Sequence, residues 1–140
     1  MTTSSFDEKC ADLKKNFAPL STEERYDLLI SLGRALPEYP ATLKTSLHIV
    51  SGCQSALYLY PTFTEGKLYF QAQSDALISA GLAALLIHVY SGETPETILT
   101  SPPTFLTDLQ LTISPNRSNG LAHIHLRMKQ LALEALTGKL

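Results

Sequence analysis

The segment SGCQS, residues 51–55, places a lone cysteine, Cys53, directly after Gly52 and before Gln54 and Ser55. A thiol can act as a nucleophile, and the thiolate is its reactive form. With an ordinary pKa near 8.5, a few per cent of such thiols are ionised at neutral pH. Gly52 lets the backbone fold tightly behind the cysteine, so a turn here lifts the thiol to the tip of the flanking strands. Free cysteine is also among the most buried residue types and commonly acts as a small hydrophobe. Position alone therefore leaves Cys53 open between reactive group and packing residue. The second cysteine, Cys10, stands 43 positions earlier among charged neighbours and reads as a half-buried helix residue.

The four histidines divide by context. His48 alternates with Leu47 and Ile49, as on a strand. His88 falls near the end of an apolar helix, where a cation complements the helix dipole. His123 and His125 form an H-x-H pair, but two residues apart on a helix their side chains point in different directions. A zinc site needs three or four convergent ligands, and neither C-x₂-C nor H-x₃-H spacing is present. A Gly-rich phosphate loop and a serine-hydrolase elbow are absent as well.

These residues have to be positioned by elements that the pattern predicts. SSFDEKCADLKKNFAPL reads as a helix that stops before Pro19. Ser21 and Glu24 have the spacing of a capping box, opening a helix whose buried face holds Leu29, Leu32 and Leu36 beside Tyr26 and Ile30, and which Pro37 and Pro40 end. Alternation and β-branched or aromatic residues then predict three short strands, at about 45–50, 55–60 and 67–72. TFTEG turns the second strand into the third, with Gly66 free to take positive φ. Ser74 and Asp75 open the most apolar segment, ALISAGLAALLIHVY, expected to be the central helix, with Gly81 and its alanines allowing close approach to the sheet. Thr94-Pro95 and Ser114-Pro115 have the form of helix starts, and SPPTFLTDLQL between them is a further turn or two. Leu121, Ile124, Met128, Leu131 and Ala135 make the apolar seam of the last helix. The expected fold class is α+β, a small antiparallel sheet of about three strands with helices packed on one face.

The length of 140 residues suits a single domain, and 44% apolar with 17% charged residues is a globular composition. A net charge of −2 and the lack of a basic stripe interleaved with aromatics argue against nucleic acid as a partner. The apolar window at 76–90 is shorter than a membrane span requires, and the N-terminus lacks the basic head and apolar block of a secretory signal. Two thiols with no disulfide framework fit a reducing compartment, so the expectation is a cytoplasmic protein with no membrane partner.

Three segments, SGCQS, QSDALISAGLAALLIHVYSGETPETIL and LTISPNRSNGLAHI, together resemble the SufE family of cysteine-desulfurase partners, the Fe–S metabolism associated proteins. The likeness runs from about residue 20 to 135 with the motifs in the family's order. It implies a SufE/IscU-like fold and a protein that docks on a pyridoxal-phosphate-dependent cysteine desulfurase of the SufS type. Such a protein takes persulfide sulfur onto Cys53 and relays it to an Fe–S assembly scaffold of the SufBCD kind. It would hold no cofactor or metal of its own and would have no turnover alone. The resemblance assigns Gly52, Gln54 and Ser55 to the acceptor loop. It matches Asp75 and Arg117 to positions that support the loop or the docking. Helix-dipole stabilisation for Asp75 and a surface ion pair for Arg117 are the structural alternatives. Where the family usually has tryptophan, this chain has Tyr58. Two other readings remain: an IscU-like Fe–S scaffold, and an interaction module in which Cys53 is structural. A scaffold needs about three thiolates or equivalents.

Overall fold

The computed structural model describes residues 4–52 and 56–140. Its elements, in chain order among the described residues, are helix α1 (Ser5–Phe17), α2 (Thr22–Arg34), strands β1 (Leu57–Thr64) and β2 (Lys67–Ser74), then α3 (Leu77–Tyr90), α4 (Pro95–Thr100), α5 (Phe105–Asp108) and α6 (Pro115–Leu136). This is the expected α+β class, with two paired strands among the described residues rather than three.

Local chemistry sets most of the helix starts. Ser21 accepts from the Glu24 amide and the Glu24 side chain accepts from the Ser21 amide, completing the capping box of α2. Thr94 and Ser114 accept from the Thr97 and Arg117 amides, each followed by proline in the first turn. The start of α3 differs from expectation. Ala76 is its N-cap and no side chain caps it; the Ser74 hydroxyl instead accepts from the Ala76 amide across a tight turn. Asp75 consequently lies outside the helix, and no acidic residue sits in the first turn of α3.

β1 and β2 form an antiparallel hairpin in register from Leu57 opposite Ser74 to Thr64 opposite Lys67. Glu65 (φ 52°) and Gly66 (φ 77°) make the two-residue turn, a geometry that needs two left-handed residues. Leu57, Leu59, Leu68, Phe70 and Ala72 are buried along the hairpin, while Tyr58 and Tyr60 alternate toward its other face. The segment read as a third strand, 45–50, is instead a single 3-10 turn, Ser46–His48, followed by one isolated bridge between Ile49 and Tyr58. Alternation over three residues is satisfied by such a turn as well as by a strand: His48 rests edge-on against Tyr60 at 5.1 Å while Leu47 points to solvent.

α3 is the central helix. Nine of its residues are buried, and Leu82, Ala83, Leu85, Leu86, Val89 and Tyr90 are at most 2% exposed. Its glycine serves a different neighbour from the one expected. A Cβ on Gly81 would lie 2.5 Å from the Leu29 carbonyl oxygen of α2, and one on Gly33 would lie 2.7 Å from the Gly81 nitrogen. Gly33 and Gly81 thus let α2 and α3 meet backbone to backbone, and it is α2, not the sheet, that uses the gap. The last helix lays Ile124, Met128, Leu131, Ala132 and Ala135 into the same core.

At the far end, residues 91–93 run along the edge of β2. Leu68 N–H donates to Glu93 O (2.9 Å), Gly92 N–H to Leu68 O (2.6 Å) and Phe70 N–H to the Ser91 hydroxyl (3.0 Å). The buried Glu93 carboxylate receives Lys9 and Ser5 from α1, tying the first helix to the core that Phe6, Leu13 and Phe17 fill. No helix of the described residues is long and apolar enough to cross a membrane.

Candidate functional site: the 51–56 loop and its surroundings

Val50 N–H donates to Leu57 O at 2.9 Å, which brings together the two ends of segment 51–56 where β1 begins. Cys53, Gln54 and Ser55 fall within that segment and lie outside the described residues. Val50 is 3% exposed and Leu57 fully buried, so both stems are anchored in the core. Because Leu57 pairs with Ser74, the chain entering β1 and the chain leaving β2 toward Asp75 share one end of the hairpin.

Gly52 takes φ +87°, a conformation that disfavours any residue with a Cβ. Space forbids one as well: a Cβ there would fall 2.5–2.6 Å from Cδ2, Nε2 and Cε1 of His123. The imidazole of α6 is therefore seated against the residue that precedes Cys53. Nothing in the sequence signals this contact. His123 lies one position off the buried seam of α6, and its partner is 71 residues away. The divergence expected of the H-x-H pair holds, because His125 turns to the other side and stacks on Tyr90, ring centroids 5.3 Å apart. Burial holds His125 well below the usual histidine range, at about 4, with Lys129 adding to the effect. Its Nε2 is buried without a hydrogen-bond partner among the described residues.

Arg117 lies in the first turn of α6 and reaches α3, its Nη1 donating to the Ser79 hydroxyl at 3.4 Å. No carboxylate among the described residues pairs with it, so the surface ion pair considered for it is not formed there. Asp75 is exposed and accepts from Gln73 Nε2 at 2.9 Å. Asp75 and Ser79 are four residues apart, so both matched positions sit around the start of α3. Tyr58, on the outer face of the hairpin, packs against Tyr39, ring centroids 6.0 Å apart, so this position makes an aromatic contact.

Cys10 is 7% exposed on the core side of α1. Burial, with the nearby Asp7, pushes its thiol up to about 11, which leaves it almost wholly protonated at neutral pH. A thiol in that state is a packing residue. His88 ends its helix beside Asp12 of α1, Nε2 to Oδ2 3.6 Å, an exposed contact.

The Fe-S metabolism associated domain of SufE matches residues 11–132 of the chain. An uncharacterized SufE-like protein of Synechocystis is 34% identical over 119 residues, covering 84% of this chain and 75% of that protein. The sulfur acceptor protein CsdE of Escherichia coli is 36% identical over 114 residues and 78% of each chain. SufE-like protein 1 of Arabidopsis thaliana, chloroplastic/mitochondrial, is 35% identical over 112 residues, 78% of this chain but 30% of its own length. Among solved structures, the solution structure of a hypothetical protein from Thermus thermophilus superposes with a TM-score of 0.76 at 27% identity, covering 92% of this chain and 96% of that one.

Proposed function

The chain belongs to the SufE family, and from that premise we propose that it is a sulfur acceptor whose Cys53 takes persulfide sulfur from a cysteine desulfurase of the SufS type. The observation that carries the reading is the 36% identity to a sulfur acceptor protein, in a chain where Val50 and Leu57 hold together the two ends of the sequence segment that contains Cys53. The step needs no cofactor. The Cys53 thiolate attacks the terminal sulfur of the donor's persulfide. A sulfur–sulfur bond forms on Cys53, the one in the donor breaks, and the donor cysteine leaves as a thiolate that takes a proton from water. The protein is then a carrier with no turnover alone, and it passes the sulfur to an Fe–S scaffold of the SufBCD kind.

Cys10 supports this division of labour. Its buried, protonated thiol on α1 is unsuited to act as a second acceptor or as a cluster ligand, which disfavours the scaffold alternative. Gly52 supports it too, since its left-handed turn with His123 packed behind it admits no Cβ and so reserves the position before Cys53 for glycine.

The test is incubation with a SufS-type desulfurase and cysteine, followed by peptide mass spectrometry. One additional sulfur is expected on the Cys53 peptide, and Cys53→Ser should lose both the adduct and the stimulation of desulfurase turnover. Sulfur found elsewhere, or full stimulation by Cys53→Ser, overturns the assignment.

A further inference from the structure

Leu47, Ile49 and Leu126 are large apolar side chains left 78%, 40% and 48% exposed. Isolated exposed leucines are ordinary, but apolar side chains converging on one hollow mark a contact surface. These three do converge: together with Ser51, His123 and Arg127 they line a cavity of about 200 Å³. Leu47 is also held out on a stiff mount. On one side His48 is pinned by its edge contact with Tyr60, and on the other Ile49 bridges to Tyr58 and Val50 is buried. A displayed side chain on an anchored turn loses little backbone freedom when a partner captures it, which is the condition for an efficient anchor.

Charge narrows the kind of partner. Among the described residues the ionisable groups lining the cavity are His123 and Arg127, and no carboxylate of those residues lines it, although the chain as a whole carries a net charge of −2. A local cationic rim on a mildly acidic protein favours a partner segment that brings a carboxylate. Continuity gives the place: the wall includes Ser51, the first residue of the loop that holds Cys53. Ser51 is two residues before Cys53 in the chain, so the hollow adjoins the segment on which sulfur is to be delivered.

We propose that the hollow between Leu47, Ile49 and Leu126 is the docking pocket for the sulfur donor. It receives an apolar side chain, with a carboxylate close by in sequence, from the segment of the desulfurase that carries the donor persulfide. The inference rests on the reading of Cys53 as acceptor, and adds the surface and the chemistry the partner has to present. The apolar insertion covers the three exposed side chains, and Arg127 at the rim pairs with the carboxylate and steers the encounter.

The experiment titrates a SufS-type desulfurase, supplied with cysteine, against the wild-type protein and against Leu47→Asp, Leu126→Asp, Arg127→Glu and the conservative Leu47→Met. The concentration for half-maximal sulfur transfer to Cys53 is read by mass spectrometry, and the rate at which iodoacetamide alkylates Cys53 is measured alongside. Leu47→Asp and Leu126→Asp are expected to raise the half-saturating concentration about tenfold or more, the loss usual for an interface anchor. Arg127→Glu should raise it and weaken its dependence on salt, Leu47→Met should behave as wild type, and alkylation should stay unchanged in all four. Wild-type half-saturation in both aspartate variants overturns the pocket. An equal fall in alkylation overturns it too, by placing the effect on the thiol. Loss of a self-associated form by Leu47→Asp in sedimentation, with transfer intact, overturns it by making a second copy the occupant. No sulfur on Cys53 of the wild-type protein is the separate result that sinks the acceptor reading itself.

Discussion

Replacing Gly52 with alanine tests the geometry of the turn that precedes Cys53. Two penalties act at that position. Alanine held at φ +87° is costly, about 1–2 kcal/mol, and reduced freedom in the unfolded chain offsets a part of it. The new Cβ also falls 2.5–2.6 Å from three ring atoms of His123, so the imidazole has to leave its seat. Displacing a half-buried ring adds about 1 kcal/mol, the lower end of what overpacking costs. Gly52→Ala should therefore destabilise the protein by about 2 kcal/mol in urea unfolding, with the m-value unchanged. The two parts can be separated. In Gly52→Ala/His123→Ala the steric part disappears and the backbone part stays, so the double mutant should be more stable than the sum of the single changes by about 1 kcal/mol. Strict additivity, or a Gly52→Ala cost below about 0.5 kcal/mol, the scale of an ordinary surface change, would refute the claim that His123 seats the turn.

Four other outcomes follow from the same structure. His125 is held neutral by burial, with its pKa lowered to about 4, so the unfolded chain binds its proton first as the pH drops. Stability is complete above the unfolded value near 6.5 and declines as the pH falls from there to about 4; with the ring only partly enclosed the loss should be about 2 kcal/mol, and His125→Phe should flatten that stretch of a pH series of urea melts. Cys10, with its thiol pushed up to about 11, should resist iodoacetamide at pH 8 in the native protein and react once urea unfolds it, whereas Cys53 should be the thiol labelled under native conditions. Glu93→Ala, which leaves Lys9 without its buried carboxylate, should cost about 1–3 kcal/mol in thermal or chemical unfolding. Lys14→Met, which breaks only the exposed 3.2 Å pair with Asp108, should cost less than about 0.5 kcal/mol.

The amino-acid sequence by itself determined the features whose causes lie within a few residues. The capping box of Ser21 and Glu24, the Ser-Pro and Thr-Pro helix starts and the Gly66 turn all depend on groups no more than a turn apart, so their signals survive without knowledge of the fold. The SufE family was legible in the same way, through short motifs that follow one another in order. Only the tertiary structure decided how distant pieces meet. Residues 45–50 carry strand-like alternation, yet they bridge β1 at a single pair and present Leu47 outward. Gly81 reads as a close-approach residue, but that α2 rather than the sheet makes the approach depends on Gly33, 48 positions away. His123 gains its role from Gly52 across 71 positions. Hydrogen bonds within a turn are specified by neighbouring side chains, whereas contacts between elements are settled by how the whole apolar surface is packed, and that sum is not written at any one position.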